Sequence, residues 1–215
     1  YLIVLFTMIR MQVIGGIDTA IWLMFGMLGF FMFQRTSSQV MNAISANQAL
    51  FSYRQVKPID TLLVRGVLEG FLMILIASIL LAGMAILGYS VMPADPLLVI
   101  SAFFGLWCVG MGFGLIISVA KELVPELGKI IGFVMKPMMI ISGVIFPISV
   151  VPPLYREWLM LNPVAHGLEA VRLGFSPYYH AVPELSISYI YSFALVSIFF
   201  GLALHRRFAL RLATL

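Results

Sequence analysis

The chain reads as an all-α polytopic membrane protein, one transmembrane domain over residues 1–215 with six spans, the first truncated. Three observations predict this. Of its residues 62% are hydrophobic and only 10% are charged, with mean hydropathy +1.07, against about 25% charged in soluble domains. Its apolar runs approach the roughly 20 residues that carry a helix across a bilayer. The period-two alternation of a transmembrane barrel is absent, so helices, which bond every backbone group internally, are the structure lipid permits.

The elements follow in order. Tyr1–Ile9 is apolar but too short to cross alone. With no initiator Met and no basic n-region before it, it does not read as a signal peptide, and residue 1 is expected to lie inside a span that begins upstream. The second span is expected over about Thr19–Phe33, the third over Thr61–Gly88, the fourth over Leu97–Ala120, the fifth over Leu127–Ile148 and the sixth over Ser186–Leu204. Pro58 stops any helix running through Lys57, and Asp60 is placed to N-cap the third span. Pro93 and Pro96 break the chain between spans three and four, and Pro152-Pro153 ends the fifth segment. Gly66/Gly70, Gly110/Gly114 and Gly128/Gly132 are small-xxx-small pairs that let helices approach closely, though 18 glycines make such pairs common by chance.

Lys and Arg set the orientation. Arg10, Arg156 and Arg172 fall on one side; Arg35, Arg54, Lys57, Arg65, Lys121, Lys129, Lys136, Arg206, Arg207 and Arg211 fall on the other. The richer side is the cytoplasm, which puts the 34–60 loop and both termini there. The net charge of +4 is scattered over helix ends and forms no nucleic-acid stripe. Cys108 has no partner cysteine and reads as a small core residue.

The segment from Ala46 to Asp60 is polar and basic in a chain otherwise greasy. Leu50, Phe51, Val56 and Ile59 are too many apolar residues for a purely solvated loop. A short amphipathic helix with a basic end would dock into a partner's groove, with Tyr53 and Arg54 of the types that dominate interface energy. The alternative is an interfacial loop with Arg54 and Lys57 on lipid headgroups. The chain carries no G-x-x-x-x-G-K-[ST] motif, and Gly110-Met111-Gly112-Phe113-Gly114 opens no βαβ unit. Uphill transport would therefore draw its energy from a partner.

Ala46-Asn47-Gln48-Ala49-Leu50-Phe51, Tyr53-Arg54 and Val56-Lys57-Pro58-Ile59-Asp60-Thr61 resemble the signature of capsular polysaccharide export permeases, the membrane subunits of type-2 ABC exporters. Lys136-Pro137, Ser142-Gly143, Phe146-Pro147, Pro152, Leu161-Asn162-Pro163, Val164 and His166 agree, and Gly201-Leu202-Ala203-Leu204 is a weaker third match. The family's amphipathic interfacial helix before the first span has no counterpart in this sequence. The resemblance implies a homodimer in the bacterial inner membrane, paired with two copies of a separate ATPase that binds ATP and Mg, so that this chain binds no cofactor and is no enzyme. It implies that 46–60 is a coupling helix, with Asn47, Gln48, Leu50, Phe51, Tyr53, Arg54 and Lys57 on the ATPase. It implies a lipid-linked polysaccharide passing between the two permeases, then periplasmic co-polymerase-type and outer-membrane export proteins. Export of lipopolysaccharide O-chains fits the same residues.

The outside segment 149–185 is too long for a turn and too rich in proline for one helix. Helices are expected over Pro153–Leu161 and Ala165–Gly174, with Glu169 and Arg172 paired at i, i+3 and Leu168, Val171 and Phe175 as an apolar stripe. The choice lies between a re-entrant hairpin that gates the exit through Pro163, His166, Glu169 and Arg172 and an amphipathic lid on the surface; the family resemblance favours the hairpin. Trp22, Phe25, Phe30, Phe104 and Trp107 are candidate sugar-facing rings of the channel, against packing and interfacial anchoring. Tyr155, Trp158, Tyr178 and Tyr179 read as anchors at the outer interface. Lys136 would meet an acidic glycan or the phosphate of its lipid, or simply snorkel; Glu69 would face the same vestibule or pair with Arg65 at i, i+4. His166 has no ligand-spaced neighbour, and no metal site is expected. A secondary transporter would need ionisable or broken-helix sites at mid-membrane, and the middles of spans three, four and six carry no charges; a membrane enzyme would need clustered acidic residues, which are absent.

Overall fold

The computed structural model describes residues 13–14, 16–52 and 56–213. The expected first span lies outside the described residues. A short antiparallel hairpin, β1 (Val13–Ile14) with β2 (Ile17–Asp18), pairs Val13 with Asp18 and Ile14 with Ile17; Gly16, at φ +79°, takes the left-handed backbone that the turn demands.

Helix α1 then runs from Thr19 to Ala46, 28 residues, or about 42 Å at 1.5 Å per residue. The expected span ended at Phe33; the helix continues through Gln34–Ala46. Its polar residues bond within their own turns: Ser37 Oγ donates to Gln34 O at 3.0 Å, Asn42 Nδ2 to Ser38 O at 2.8 Å and Ser45 Oγ to Asn42 O at 3.2 Å. Between them Val40, Ala43 and Ile44 are buried. The polar stretch is thus a helix extension with one packed face, not the start of a loop.

A 3-10 turn over Gln48–Ser52 follows, then α2 (Pro58–Ile86). Pro58 occupies the first helical position. Lys57 is the N-cap residue, and its backbone N–H donates to Asp60 Oδ2 at 3.0 Å. Asp60 therefore caps from inside the first turn rather than as the N-cap itself. Helix α3 (Pro96–Leu123) starts from Asp95, whose Oδ1 accepts the N–H of Leu98 at 3.0 Å. It packs against α1, against α6 (Pro163–Phe175) and against α7 (Ile187–Arg207). Glycine makes this close packing possible. A Cβ on Gly114 would stand 2.7 Å from Val40 Cβ and 3.0 Å from Ser37 O, and one on Gly110 would stand 2.8 Å from Phe33 O. Gly66 and Gly70 likewise seat Met111 and Trp107 of α3 against α2. The pair Gly128/Gly132 makes no such contact, since nothing lies within 4 Å of a Cβ on Gly132.

Helix α4 covers Glu126–Ile141, 16 residues, or about 24 Å, and stops short of the expected Ile148. Gly143 turns the chain with φ +73° and Ser142 Oγ takes up Met138 O at 2.7 Å. A 3-10 turn (Ile148–Val150), helix α5 (Pro153–Leu159) and α6 fill the segment up to Phe175. After α7, α8 (Ala209–Ala213) closes the described chain. Among the described residues three helices, α2, α3 and α7, are long and apolar enough to cross a membrane. Their outer faces, including Val67, Ile79, Ile100, Leu195 and Phe199, are exposed, as the faces of a polytopic protein in lipid are.

Candidate functional site

Among the described residues, four places bear on the sites expected from the sequence. The first is the turn after α1, at the end of the bundle where Lys and Arg collect. Asn47 ends α1, its Nδ2 donating to Ala43 O at 2.8 Å. Gln48 and Lys57 are exposed, and Leu50 is 42% exposed. Phe51, half-buried, packs on the cluster of Val40, Ala43, Ile44 and Leu62. Beside the turn lies an open groove of about 330 Å³, lined by Asn47, Leu50, Val56, Asp60, Val64 and Arg65. Tyr53 and Arg54 lie outside the described residues. The expected amphipathic helix is, over its described part, a 3-10 turn.

The second is α6. Asn162 Oδ1 caps it on Val164 N–H at 3.0 Å, and Asn162 Nδ2 donates to Ser142 Oγ at 2.8 Å, tying this helix start to the end of α4. Pro163 is buried at its first position. Nearly every side chain from Val164 to Phe175 is buried, so no polar face is left for the surface lid considered above. His166 Nδ1 accepts the backbone N–H of Ser186 at 3.0 Å, so the proton sits on Nε2, which donates to Met160 O at 2.6 Å. The imidazole is a neutral structural tie between α6 and the start of α7.

Glu169 and Arg172 form the i, i+3 pair, Arg172 Nη1 to Glu169 Oε1 at 3.2 Å, with side-chain exposures of 0% and 1% respectively. Arg172 Nη2 donates to Gly143 O at 2.8 Å and lies near Val144 O at 3.2 Å, and its guanidinium stacks 3.7 Å above the Trp22 ring. Tyr179 donates its hydroxyl to Glu169 at 2.9 and 3.0 Å. Burial, and then the Glu169 charge beside it, push the Tyr179 hydroxyl well above the usual phenol range, so it stays a donor. Tyr179 is thus no interfacial anchor, whereas Tyr155, Trp158 and Tyr178 are exposed as anchors would be.

The third is a triad at the basic end of α1 and α2. Glu69, with side-chain exposure 0%, meets Arg35 Nε at 3.2 Å and Arg65 Nη2 at 3.2 Å, the arginines being 45% and 38% exposed. Arg65 also donates to Gln39 Oε1 at 2.6 Å. The Arg65 pairing is the i, i+4 contact expected from spacing; Arg35 and Gln39 come from α1, and no sequence signal points to them. Lys136 is exposed on α4.

The fourth is an open apolar groove of about 590 Å³ between α2 and α3. Of the rings expected to line a sugar path, Phe104 and Trp107 wall this groove, stacked with centroids 5.5 Å apart. Trp22, Phe25 and Phe30 are instead buried inside the chain, Phe25 against Phe175 at 4.6 Å. From Thr19 to Phe33 helix α1 is buried on nearly every side, with Thr19–Gly26 and Leu28–Phe30 buried without a break, so these rings meet protein whichever way they point. Among the described residues no group of three acidic, His or Cys side chains is placed to hold a metal.

Comparison with known proteins adds a family. The ABC-2 type transporter family matches residues 2–176. The polysialic acid transport protein KpsM of Escherichia coli is 33% identical over 202 residues, which is 94% of this chain and 78% of the relative. The capsule polysaccharide export inner-membrane protein CtrC of Neisseria meningitidis serogroup B is 31% identical over 83% of this chain and 67% of its own length. The capsule polysaccharide export inner-membrane protein BexB of Haemophilus influenzae is 25% identical over 81% of this chain and 66% of its own length.

Proposed function

The chain belongs to the ABC-2 type transporter family, and from that membership we propose that it is the membrane subunit of an exporter that moves capsular polysaccharide from the cytoplasm across the bacterial inner membrane. The exporter is a homodimer of this chain carrying two copies of a separate ATPase, which binds ATP and Mg. The exposed apolar faces of α4, with Phe133, Val134 and Ile140, suit a second copy. The basic end of the bundle faces the cytoplasm, with both termini, by the Lys and Arg asymmetry. The polysaccharide, attached to a lipid, leaves between the two copies and passes to periplasmic co-polymerase-type and outer-membrane partners. The α5–α6 segment is the re-entrant hairpin on the far side, and its buried Glu169–Arg172 pair holds it as a rigid gate.

The observation that carries the coupling is the open turn after α1, where exposed Leu50 sits at the edge of the groove and Phe51 behind it packs on the helices that move. A force applied at Leu50 reaches α1 and α2 through Phe51. The test is reconstitution of the full-length chain with its ATPase, carrying Leu50→Asp, Tyr53→Ala or Arg54→Ala. Association is expected to weaken about tenfold or more at a docking residue that contributes over 1.4 kcal/mol, with glycan export lost and gel-filtration behaviour kept. Unaltered association and export in all three variants overturn the docking role.

A further inference from the structure

We propose that Arg65 is the charged contact of the groove beside the turn after α1, and that it takes a carboxylate side chain of the ATPase. This rests on the docking role proposed above for Leu50. The groove, about 330 Å³, sets Leu50, Val56, Val64 and Leu68 around Arg65. Apolar walls around one guanidinium suit a partner side chain that is apolar along its stem and anionic at its tip. Arginine is also among the residue types that dominate interface energy.

Arg65 is held in place but not used up. Its Nη2 donates to Gln39 Oε1 of α1 at 2.6 Å and stands 3.2 Å from Glu69 Oε1. That carboxylate oxygen accepts no hydrogen bond among the described residues, so its contact with Arg65 is one of charge alone. Glu69 takes its hydrogen bond from Arg35 Nε, at Oε2 and 3.2 Å. One buried carboxylate therefore faces two guanidiniums and balances one of them. Among the described residues Arg65 Nε and Nη1 make no hydrogen bond, on a side chain 38% exposed. At this end of α1 and α2, Arg35, Lys57 and Arg65 stand against Asp60 and Glu69, three positive charges to two negative. Asp60, the acidic residue in the groove's lining, already caps α2 by accepting the Lys57 N–H at 3.0 Å. A guanidinium fixed by an amide, with charge in excess and donors open, is set for a second carboxylate. It also stands within reach of a soluble subunit. The run 66–86 that completes α2 has the roughly 20 residues a bilayer crossing needs, and Gln39 belongs to the polar extension of α1. With the orientation proposed above, Arg65 lies at the cytoplasmic rim.

The test is binding of the purified ATPase to the full-length chain in detergent, followed as salt is raised. Wild-type affinity is expected to fall with salt, because the contact is charged and partly exposed. Arg65→Gln should weaken association about tenfold or more and flatten that fall, whereas Arg65→Lys should keep most of it. Lys129→Gln removes a positive charge exposed on α4, outside the groove, and should change neither quantity. A purely structural role for Arg65 would leave the salt dependence as it is. Carbodiimide treatment of the Arg65→Lys complex joins an amine to a carboxylate in contact with it, and should link position 65 to an Asp or Glu of the ATPase. This second arm also serves should Arg65→Gln not fold. A crosslink confined to Glu69, or a folded Arg65→Gln with wild-type affinity and salt dependence, overturns the proposal. So does a lipid in the groove, read as phosphatidylglycerol retained by the wild type and lost from Arg65→Gln while association is unchanged. Leu50→Asp separates the two readings. If it leaves association intact, the docking turn itself is refuted; if it weakens association and Arg65→Gln does not, only the role of Arg65 falls.

Discussion

Glu169 and Arg172 sit where neither charge reaches water, and each is affordable only because of the other. Removing one partner is therefore far worse than removing both. Arg172→Ala strands a buried carboxylate beside Tyr179 and is expected to cost about 3–5 kcal/mol of stability, whereas Glu169→Leu with Arg172→Met is expected to cost less, about the 1–3 kcal/mol of a Tyr179 hydroxyl left without its acceptor. Thermal unfolding of the purified chain in detergent checks both; equal losses in the single and double variants would show that the pair contributes nothing by being paired. Tyr179→Phe takes away one donor of this network and should cost about 1–3 kcal/mol by the same measurement. The pair itself was legible from its i, i+3 spacing. Tyr179 was not, because a tyrosine ten residues on carries no signal saying which carboxylate it will reach.

Helices in this chain are shaped by two kinds of residue: polar ones that satisfy themselves and glycines that admit a neighbour. The extension of α1 past Phe33 depends on Ser37, Asn42 and Ser45 folding back on their own carbonyls, which hydropathy scores as loop. The α1–α3 contact depends on Gly110 and Gly114. Gly114→Leu is expected to push Val40 and Ser37 off α3 and to destabilise the chain by about 1–3 kcal/mol or more. Gly132→Ala meets open space and should be neutral or raise stability by up to about 1 kcal/mol. Parallel melting curves of the two variants decide whether small residues serve one contact and not the other.

Across the whole molecule, the turn after α1 and the buried α6 lie at opposite ends of the same helices. In the proposed docking role, exposed Leu50 would be the grip and Phe51, packed on the cluster of Val40, Ala43, Ile44 and Leu62, the inward half of the joint. Phe51→Ala is therefore expected to leave ATPase association near wild type while export falls about tenfold, since cutting back this half-buried side chain loosens its packing on α1 and α2 without removing exposed Leu50. Comparing pull-down with export for Phe51→Ala against Leu50→Asp separates gripping from transmission. Equal loss of association in both would show that the turn acts only as a surface.

Composition alone made this a helical membrane protein, and a run of fifteen residues from Ala46 to Asp60 was enough to mark where the long first described helix gives way to a turn before the next one. These are local properties: hydropathy is summed along the chain, and a basic interruption is visible wherever it occurs. What the folded chain added comes from distance in sequence. Arg35 and Glu69 are separated by 34 positions and meet only because α1 and α2 lie side by side. Trp22 reads the same as Trp107 on a hydropathy profile, yet one is sealed under Arg172 and the other walls an open groove. A helix tells which residues share a stripe; its neighbours determine whether that stripe meets protein, lipid or a charge, and that outcome is settled by packing the helices together.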